Sequence, residues 1–374
     1  MAKTPKIAAL EGLRGYMAWA VVFAHTSQLT GIERMLPAKV TAIVNGGEPA
    51  VNVFIMLSGF VITHLCLSDP EPYWRYIKRR ARRIYPIYLL CLALGTATLP
   101  ALLTAHTAPW SIDPEMWQVR SAAEQERFFT HLALHLSLLH GLVPDNVLAY
   151  SSRTLLGPAW SLSLEWQFYL IAPAVVACLR KSRLSLLATC AALIALWIAS
   201  HRGIFGVWAY PSMVLLAMPL FLVGMLTRLF WSRLQKSPVL LVLSGGAVAG
   251  FFAGSHKHEF WVWTLFIAAA LQEPNPKRNR VLAMLTANRI ATKLGSASYS
   301  TYLVHIPLMV SAVSLAIKFG GPHMQRNVIA AAAMTLILLV PVSLILYTHV
   351  EKRFMAKARK PGAPSEPPLV AQVR

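Results

Sequence analysis

Charge is what this sequence lacks most. Only 13% of its 374 residues are Asp, Glu, Lys or Arg, where soluble domains carry about a quarter, so an ordinary soluble domain is excluded. Acidic residues are scarcer still, 15 against 35 basic ones, for a formal net charge of +20. Elsewhere such a surplus points to nucleic acid. Here the cations sit in short runs between apolar stretches, the pattern that orients membrane proteins, and no nucleic-acid partner is implied. Cysteine is sparse. Cys66, Cys91, Cys178 and Cys190 lie in apolar stretches with no CxxC and no histidine at zinc spacing, which leaves them as small apolar fillers and implies no metal. No internal repeat is visible, against an inverted-repeat transporter fold. A cleavable signal peptide is also missing from the reading: the first apolar stretch carries Glu11 and Arg14 and continues past any plausible cleavage site, as a retained helix does.

What is abundant is apolar sequence, 56% of the chain. Ten stretches approach the length needed to cross about 30 Å of hydrocarbon: 8–27, 43–67, 84–105, 160–179, 184–200, 211–231, 238–254, 259–272, 295–318 and 328–349. An eleventh, 128–143, is ambiguous, with His131, His135 and His140 on a leucine-rich background. Loop charge decides its status. With ten spans and both termini cytoplasmic, the cytoplasmic segments hold 25 of the 35 Lys and Arg residues. An eleventh span would turn Arg180-Lys181-Ser182-Arg183, Lys277-Arg278-Asn279-Arg280 and the basic tail outward, against the positive-inside bias. The sequence therefore predicts an all-α polytopic membrane protein of about ten transmembrane helices. Residues 1–350 form the membrane domain, with a large outer-face loop at about 106–158, and 128–143 lies at the interface or dips back into the protein. Residues 351–374 form a basic cytoplasmic tail whose proline-rich end is disordered. No soluble segment is long enough for its own chemistry, so function resides in the membrane portion.

Ionisable groups inside spans are costly and mark function. Arg14 and His25 share a face of the first span about 16 Å apart, Arg14 near the cytoplasmic end and His25 near the outer end. Arg14 also admits a plainer reading as a snorkelling anchor, and His25 as a satisfied interior histidine. Glu165 enters the fourth span from outside within Trp160-Ser161-Leu162-Ser163-Leu164-Glu165-Trp166-Gln167-Phe168-Tyr169. Trp160, Trp166 and Tyr169 have an ordinary interfacial explanation; Glu165 does not, and a histidine is a partner it could orient. The run Lys78-Arg79-Arg80-Ala81-Arg82-Arg83 serves topology, yet its guanidinium forks also suit phosphate oxygens. In Ser298-Tyr299-Ser300-Thr301-Tyr302-Leu303-Val304-His305 hydroxyls commonly bond to their own helix, which leaves Tyr302 and His305 as the notable groups. A phosphorylated molecule with a long thin reactive arm would fit a cationic patch inside and a base-plus-carboxylate pair outside.

On these stretches the chain resembles acyltransferase family 3, in the form without an appended hydrolase-like domain, from about Ile7 to Glu351. The resemblance rests on five elements in order: Leu13-Arg14-Gly15 with His25; Phe54-Ile55-Met56-Leu57-Ser58-Gly59-Phe60; Arg80-Ala81-Arg82-Arg83-Ile84-Tyr85-Pro86; Trp160 to Glu165 with Phe168-Tyr169; and Gly295 to His305. Two departures stand out: Asn52, where many relatives are acidic, and Arg353, where a proline commonly follows Glu351-Lys352. The resemblance implies transfer of an acyl group, usually acetyl, from cytoplasmic acyl-coenzyme A to a hydroxyl of an extracytoplasmic carbohydrate such as O-antigen or exopolysaccharide, in a bacterial inner membrane. By position His25 is then the catalytic histidine, Arg14 its partner arginine, and Arg80 and Arg83, with Arg79 beside them, the donor-binding cations. Glu165 would hold the His25 imidazole, with Ser58, Trp160, Ser161, Tyr299, Tyr302 and His305 in support. A covalent acyl-enzyme on His25 or Ser58 is a variant of this scheme. The rival from another class is a transporter or flippase using Arg14, His25 and Glu165 as its pathway; a structural partner of an envelope complex is a third.

Overall fold

The computed structural model describes residues 7–251, 257–272 and 280–356. They form eighteen α-helices: α1 (Ala8–Thr30), α2 (Ala38–Val44), α3 (Gly47–Ser68), α4 (Tyr73–Ala97), α5 (Leu99–His106), α6 (Pro114–Glu126), α7 (Phe128–Leu136), α8 (Trp160–Lys181), α9 (Arg183–His201), α10 (Met218–Leu229), α11 (Trp231–Lys236), α12 (Pro238–Phe251), α13 (Lys257–Gln272), α14 (Arg280–Thr286), α15 (Arg289–Ser296), α16 (Ser298–Phe319), α17 (Met324–Leu346) and α18 (Lys352–Ala356). No strand occurs among the described residues. The protein is an all-α polytopic membrane protein. Five helical stretches are long and apolar enough to cross a bilayer, and a sixth if α4 and α5 count as one span bent by 62°. The outward faces fit lipid: Leu184, Leu187, Ile337 and Ile345 are exposed where only hydrocarbon suits them.

Several spans differ in form from the sequence expectation. The stretch 84–105 breaks at Thr98, because Pro100 cannot donate to the preceding turn. The stretch 211–231 shortens to α10, since Pro211 and Pro219 flank irregular backbone that bonds sideways through Ser212. The ninth span divides at Ala297 into α15 and α16. The 128–143 stretch does not span: it is α7 followed by a single short turn at His140–Leu142. Glu11, Arg14 and His25 keep α1 out of the set of helices apolar enough to count as spans. The tail end 357–374, Lys277 and Arg278 lie outside the described residues.

Local signals set the helix ends. Asn288 caps α15 by accepting from Ala291 N at 2.8 Å, Asp113 caps α6 from Met116 N at 3.0 Å, and Ser182 caps α9 from Ser185 N at 3.1 Å. Gly31, at φ +67°, closes α1 in the left-handed conformation that glycine adopts without strain. Glycine also sets the closest helix crossings. A Cβ on Gly295 would overlap the Glu11 carbonyl oxygen, and one on Gly15 would lie 2.6 Å from the Ala291 carbonyl oxygen, so α1 and α15 meet backbone to backbone. Gly59 and Gly224 do the same for α3 and α10. Asn52, the departure noted above, donates to Glu259 Oε1 at 2.8 Å and ties α3 to α13, both residues being buried.

Candidate active site

Inside the bundle, α1, α3, α4, α8, α10 and α16 line a partly open cavity of about 770 Å³ counted with its mouth. Arg14, Arg80 and Arg83 line it, from α1 and α4. Arg80 is 8% exposed, its Nε has no hydrogen-bond partner, and its guanidinium lies 5.8 Å from the Tyr169 ring centre. Neither Arg80 nor Arg83 has a carboxylate within ion-pair distance among the described residues. Arg14 pairs with Glu11 at 2.7 Å. A cation withdrawn from water without a close counter-ion is costly, which makes Arg80 a candidate anion ligand, with Arg83 beside it on the same cavity and within the field of Glu165 and Glu351.

Arg79 is different. It contacts Asp69 and Glu71, each at 2.7 Å, and is not on the cavity wall. The expectation that it joins Arg80 and Arg83 is therefore corrected: helical geometry turns neighbouring residues by about 100°, and Arg79 faces carboxylates instead.

Glu165 also lines the cavity, and its partners are not those expected. It accepts from Ser58 Oγ at 3.1 Å and from the Tyr169 hydroxyl. His25 instead meets His305, Nδ1 to Nε2 at 2.9 Å, with the rings stacked 5.1 Å apart. The supposed His25–Glu165 pair is thus two separate units. The i,i+4 spacing of Glu165 and Tyr169 was the available sign of the carboxylate's true partner. The His25–His305 contact spans 280 positions, and local spacing does not carry it.

The two units are joined by a polar partition. The Tyr302 hydroxyl lies 2.8 Å from Ser161 Oγ and donates to the Pro158 carbonyl at 3.1 Å. Both side chains face the cavity, while the Tyr302 ring centre stands 6.1 Å from that of His305. Tyr299 lines the cavity and donates to the Ile84 carbonyl at 3.0 Å. Trp160 packs on Tyr210 and does not reach the cavity; its part is structural.

Segment 107–159 forms a polar lobe over one end of the bundle. Its three histidines are buried in a hydrogen-bond network. Thr154 Oγ1 lies 3.1 Å from His131 Nδ1 and 3.2 Å from His135 Nε2, His135 stacks on His140 at 3.8 Å, and His140 Nε2 lies 3.1 Å from the Ala159 carbonyl. Burial holds His135 well below the ordinary histidine value and pushes His140 down to about 3. Ser163 and Ser212 join the lobe to α8 and to the irregular strand of chain before α10. Among the described residues no cluster of three or more His, Cys, Asp or Glu side chains could hold a metal ion.

A membrane-type helical bundle thus holds a cationic cavity close to an imidazole pair. The chain belongs to acyltransferase family 3: the family's sequence profile, described as an acyltransferase domain, matches residues 7–348. It is similar to Acyltransferase MdmB of Streptomyces mycarofaciens, 28% identical over 191 residues, 51% of this chain and 44% of that protein. It also resembles Protein 2 in picA locus of Rhizobium radiobacter, 30% identical over 42% of this chain and 75% of the relative. Nodulation protein 10 of Rhizobium leguminosarum bv. viciae is 24% identical over 60% of each chain. The aligned part thus spans less than half of MdmB. No solved structure matches. What the chain shares with these proteins is the family's acyltransferase domain, set in a membrane-type helical bundle.

Proposed function

We propose that the protein moves an acyl group, acetyl by preference, from acyl-coenzyme A on the cytoplasmic side to a hydroxyl of a glycan or lipid-linked carbohydrate on the other, in a bacterial inner membrane. The observation that carries this reading is the convergence of Arg14, Arg80 and Arg83 on one internal cavity, with two of the three lacking a carboxylate partner. Coenzyme A presents phosphate groups at one end and a thioester at the end of a slender arm. Phosphates held by Arg80 and Arg83 leave the arm to run along the cavity, past Ser58 and Tyr299, toward the Tyr302–Ser161 partition. Hydrogen bonds between charged groups contribute about 1.5–3 kcal/mol each.

His25 is the general base. It is partly rather than fully buried, which is compatible with approach of an acceptor hydroxyl. The hydroxyl gives its proton to His25 as its oxygen bonds to the thioester carbonyl carbon. The carbon–sulfur bond then breaks and the leaving thiolate takes that proton. Such assistance is worth about 10²–10⁴-fold in rate. Glu165, held by Ser58 and Tyr169, lines the same cavity and adds a negative charge near Arg83. The positive-inside bias places the Arg80 end in the cytoplasm.

The test is acetyl transfer by purified protein in liposomes, followed as release of free coenzyme A and labelling of a carbohydrate acceptor. His25→Ala is expected to lower turnover at least about 10²-fold with acetyl-coenzyme A binding retained. Full turnover by that variant removes His25 from the reaction.

A further inference from the structure

We infer that His305 is the positioning residue for His25: it accepts the His25 Nδ1 proton and thereby leaves Nε2 as the basic atom that meets the acceptor hydroxyl. The inference rests on the reading of His25 as the base and names what holds that base in its working form, a part usually taken by a carboxylate.

The pair is 2.9 Å from Nδ1 of His25 to Nε2 of His305. Between two neutral imidazoles that gap holds one proton, and its owner fixes both tautomers. In one arrangement His305 Nε2 carries the hydrogen. Nδ1 of His305 is then a bare lone pair. That atom is buried and meets no partner at good hydrogen-bond geometry; with Nε2 turned to His25, it is the nitrogen left to face the carbonyl groups of Thr301 and Tyr302, which act on the ring from one turn back on its own helix. The nearby Thr301 hydroxyl is directed to the Ala297 carbonyl at 3.0 Å, so it does not serve as the missing donor. A lone pair against carbonyl oxygens is repulsive. In the other arrangement His305 Nδ1 carries a hydrogen, which faces those same carbonyl groups favourably. His305 Nε2 is then an acceptor, His25 Nδ1 must donate, and His25 Nε2 is unprotonated. The surroundings of His305 therefore select the tautomer in which His25 is a base.

Two further features fit a positioning role. His305 is 1% exposed while His25 is only partly buried, so the supporting ring is walled in more completely than the reacting residue. Tyr302, one turn back on α16, is pinned to Pro158 and Ser161, which fixes the turn that carries His305. Glu165 is engaged with Ser58 and Tyr169, leaving His305 as the hydrogen-bond partner of the His25 ring.

The test compares His305→Gln with His305→Leu in purified protein, using acetyl-coenzyme A and a carbohydrate acceptor. A glutamine side chain presents an amide oxygen that can accept from His25 Nδ1; leucine fills similar space without an acceptor. The glutamine variant is expected to keep kcat within about tenfold of wild type. The leucine variant loses about 10²–10⁴-fold in kcat, as expected for a base in the wrong tautomer, with KM for the donor unchanged. In wild-type protein labelled with ¹⁵N-histidine, the resonances removed by His25→Ala report Nδ1–H and bare Nε2. Equal loss in both variants, unchanged turnover in the leucine variant, or a resting Nε2–H tautomer of His25 overturns the inference. Inactivity of His25→Ala alongside any of these leaves the base assignment standing, whereas full activity of His25→Ala sinks that assignment itself.

Discussion

The two ends of this bundle are stabilised by different means. Around Arg14 and Arg80, helices meet through glycine, and the polar groups that matter are cations. Over the other end, the 107–159 lobe is built from short helices and irregular backbone held by hydrogen bonds among His131, His135, His140, Thr154, Ser163 and Ser212, with buried Arg120 and Glu124 bonding the Arg153 carbonyl and the Leu155 N–H. Backbone-to-backbone crossings do not adjust, because neither side can rotate away. A network of neutral imidazoles does respond, to protonation above all.

The comparison can be broken most severely at the rigid end. Gly295→Val drives a branched side chain into the Glu11 carbonyl and is expected to cost more than the about 1–3 kcal/mol of ordinary overpacking. The check is thermal melting of the detergent-solubilised protein against Gly250→Ala, where an added Cβ meets nothing within 4 Å and stability should hold. Next comes Arg80→Gln with Arg83→Gln. Loss of two charge-assisted contacts raises KM for acetyl-coenzyme A by about 10–100-fold or more, while melting changes little because neither cation has an ion-pair partner to abandon.

At the polar end the lever is pH. His135 and His140 have folded values below the ordinary value of about 6.5. The unfolded lobe therefore binds protons that the folded lobe refuses. Stability from these two groups is complete above about pH 6.5 and is lost as pH falls toward the His140 value of about 3, at up to about 1.4 kcal/mol per pH unit for each. Hydrogen-exchange protection over 131–156, taken relative to the intrinsic rate at each pH, should fall between pH 7 and pH 5 while protection in α1 and α3 stays constant. Uniform behaviour of both regions would erase the distinction. The smallest effect is reserved for Arg79→Gln. Removing a partly exposed ion pair costs about 0–1 kcal/mol, and because Arg79 faces Asp69 and Glu71 rather than the cavity, donor KM should not move.

Much of this was legible in the chain. Loop charge rejected 128–143 as a span, and the structure agrees because α7 ends after nine residues. Arg14, Ser58, Arg80, Arg83, Ser161, Glu165, Tyr299 and Tyr302 were all singled out, and one cavity gathers them. Legibility failed where the third dimension decides. Arg79 and Arg80 are adjacent and chemically identical, yet one meets two carboxylates and the other a void; only the rotation of α4 separates them. His25 and Glu165 looked like a dyad because each needed a partner in the same leaflet. Periodicity gives the depth of a residue, not which helix it faces, and so it could not exchange Glu165 for His305.

The central claim is that the arginine-lined cavity receives the thioester donor. A photoreactive acyl-coenzyme A analogue, cross-linked to the purified protein and mapped by mass spectrometry, tests it most directly. The account predicts adducts on α3 and α16 near Ser58, Tyr299 and Tyr302, suppressed by excess acetyl-coenzyme A and lost in the Arg80→Gln, Arg83→Gln variant. Adducts confined to the lipid-facing surface of α9, or equally strong in that variant, would contradict it.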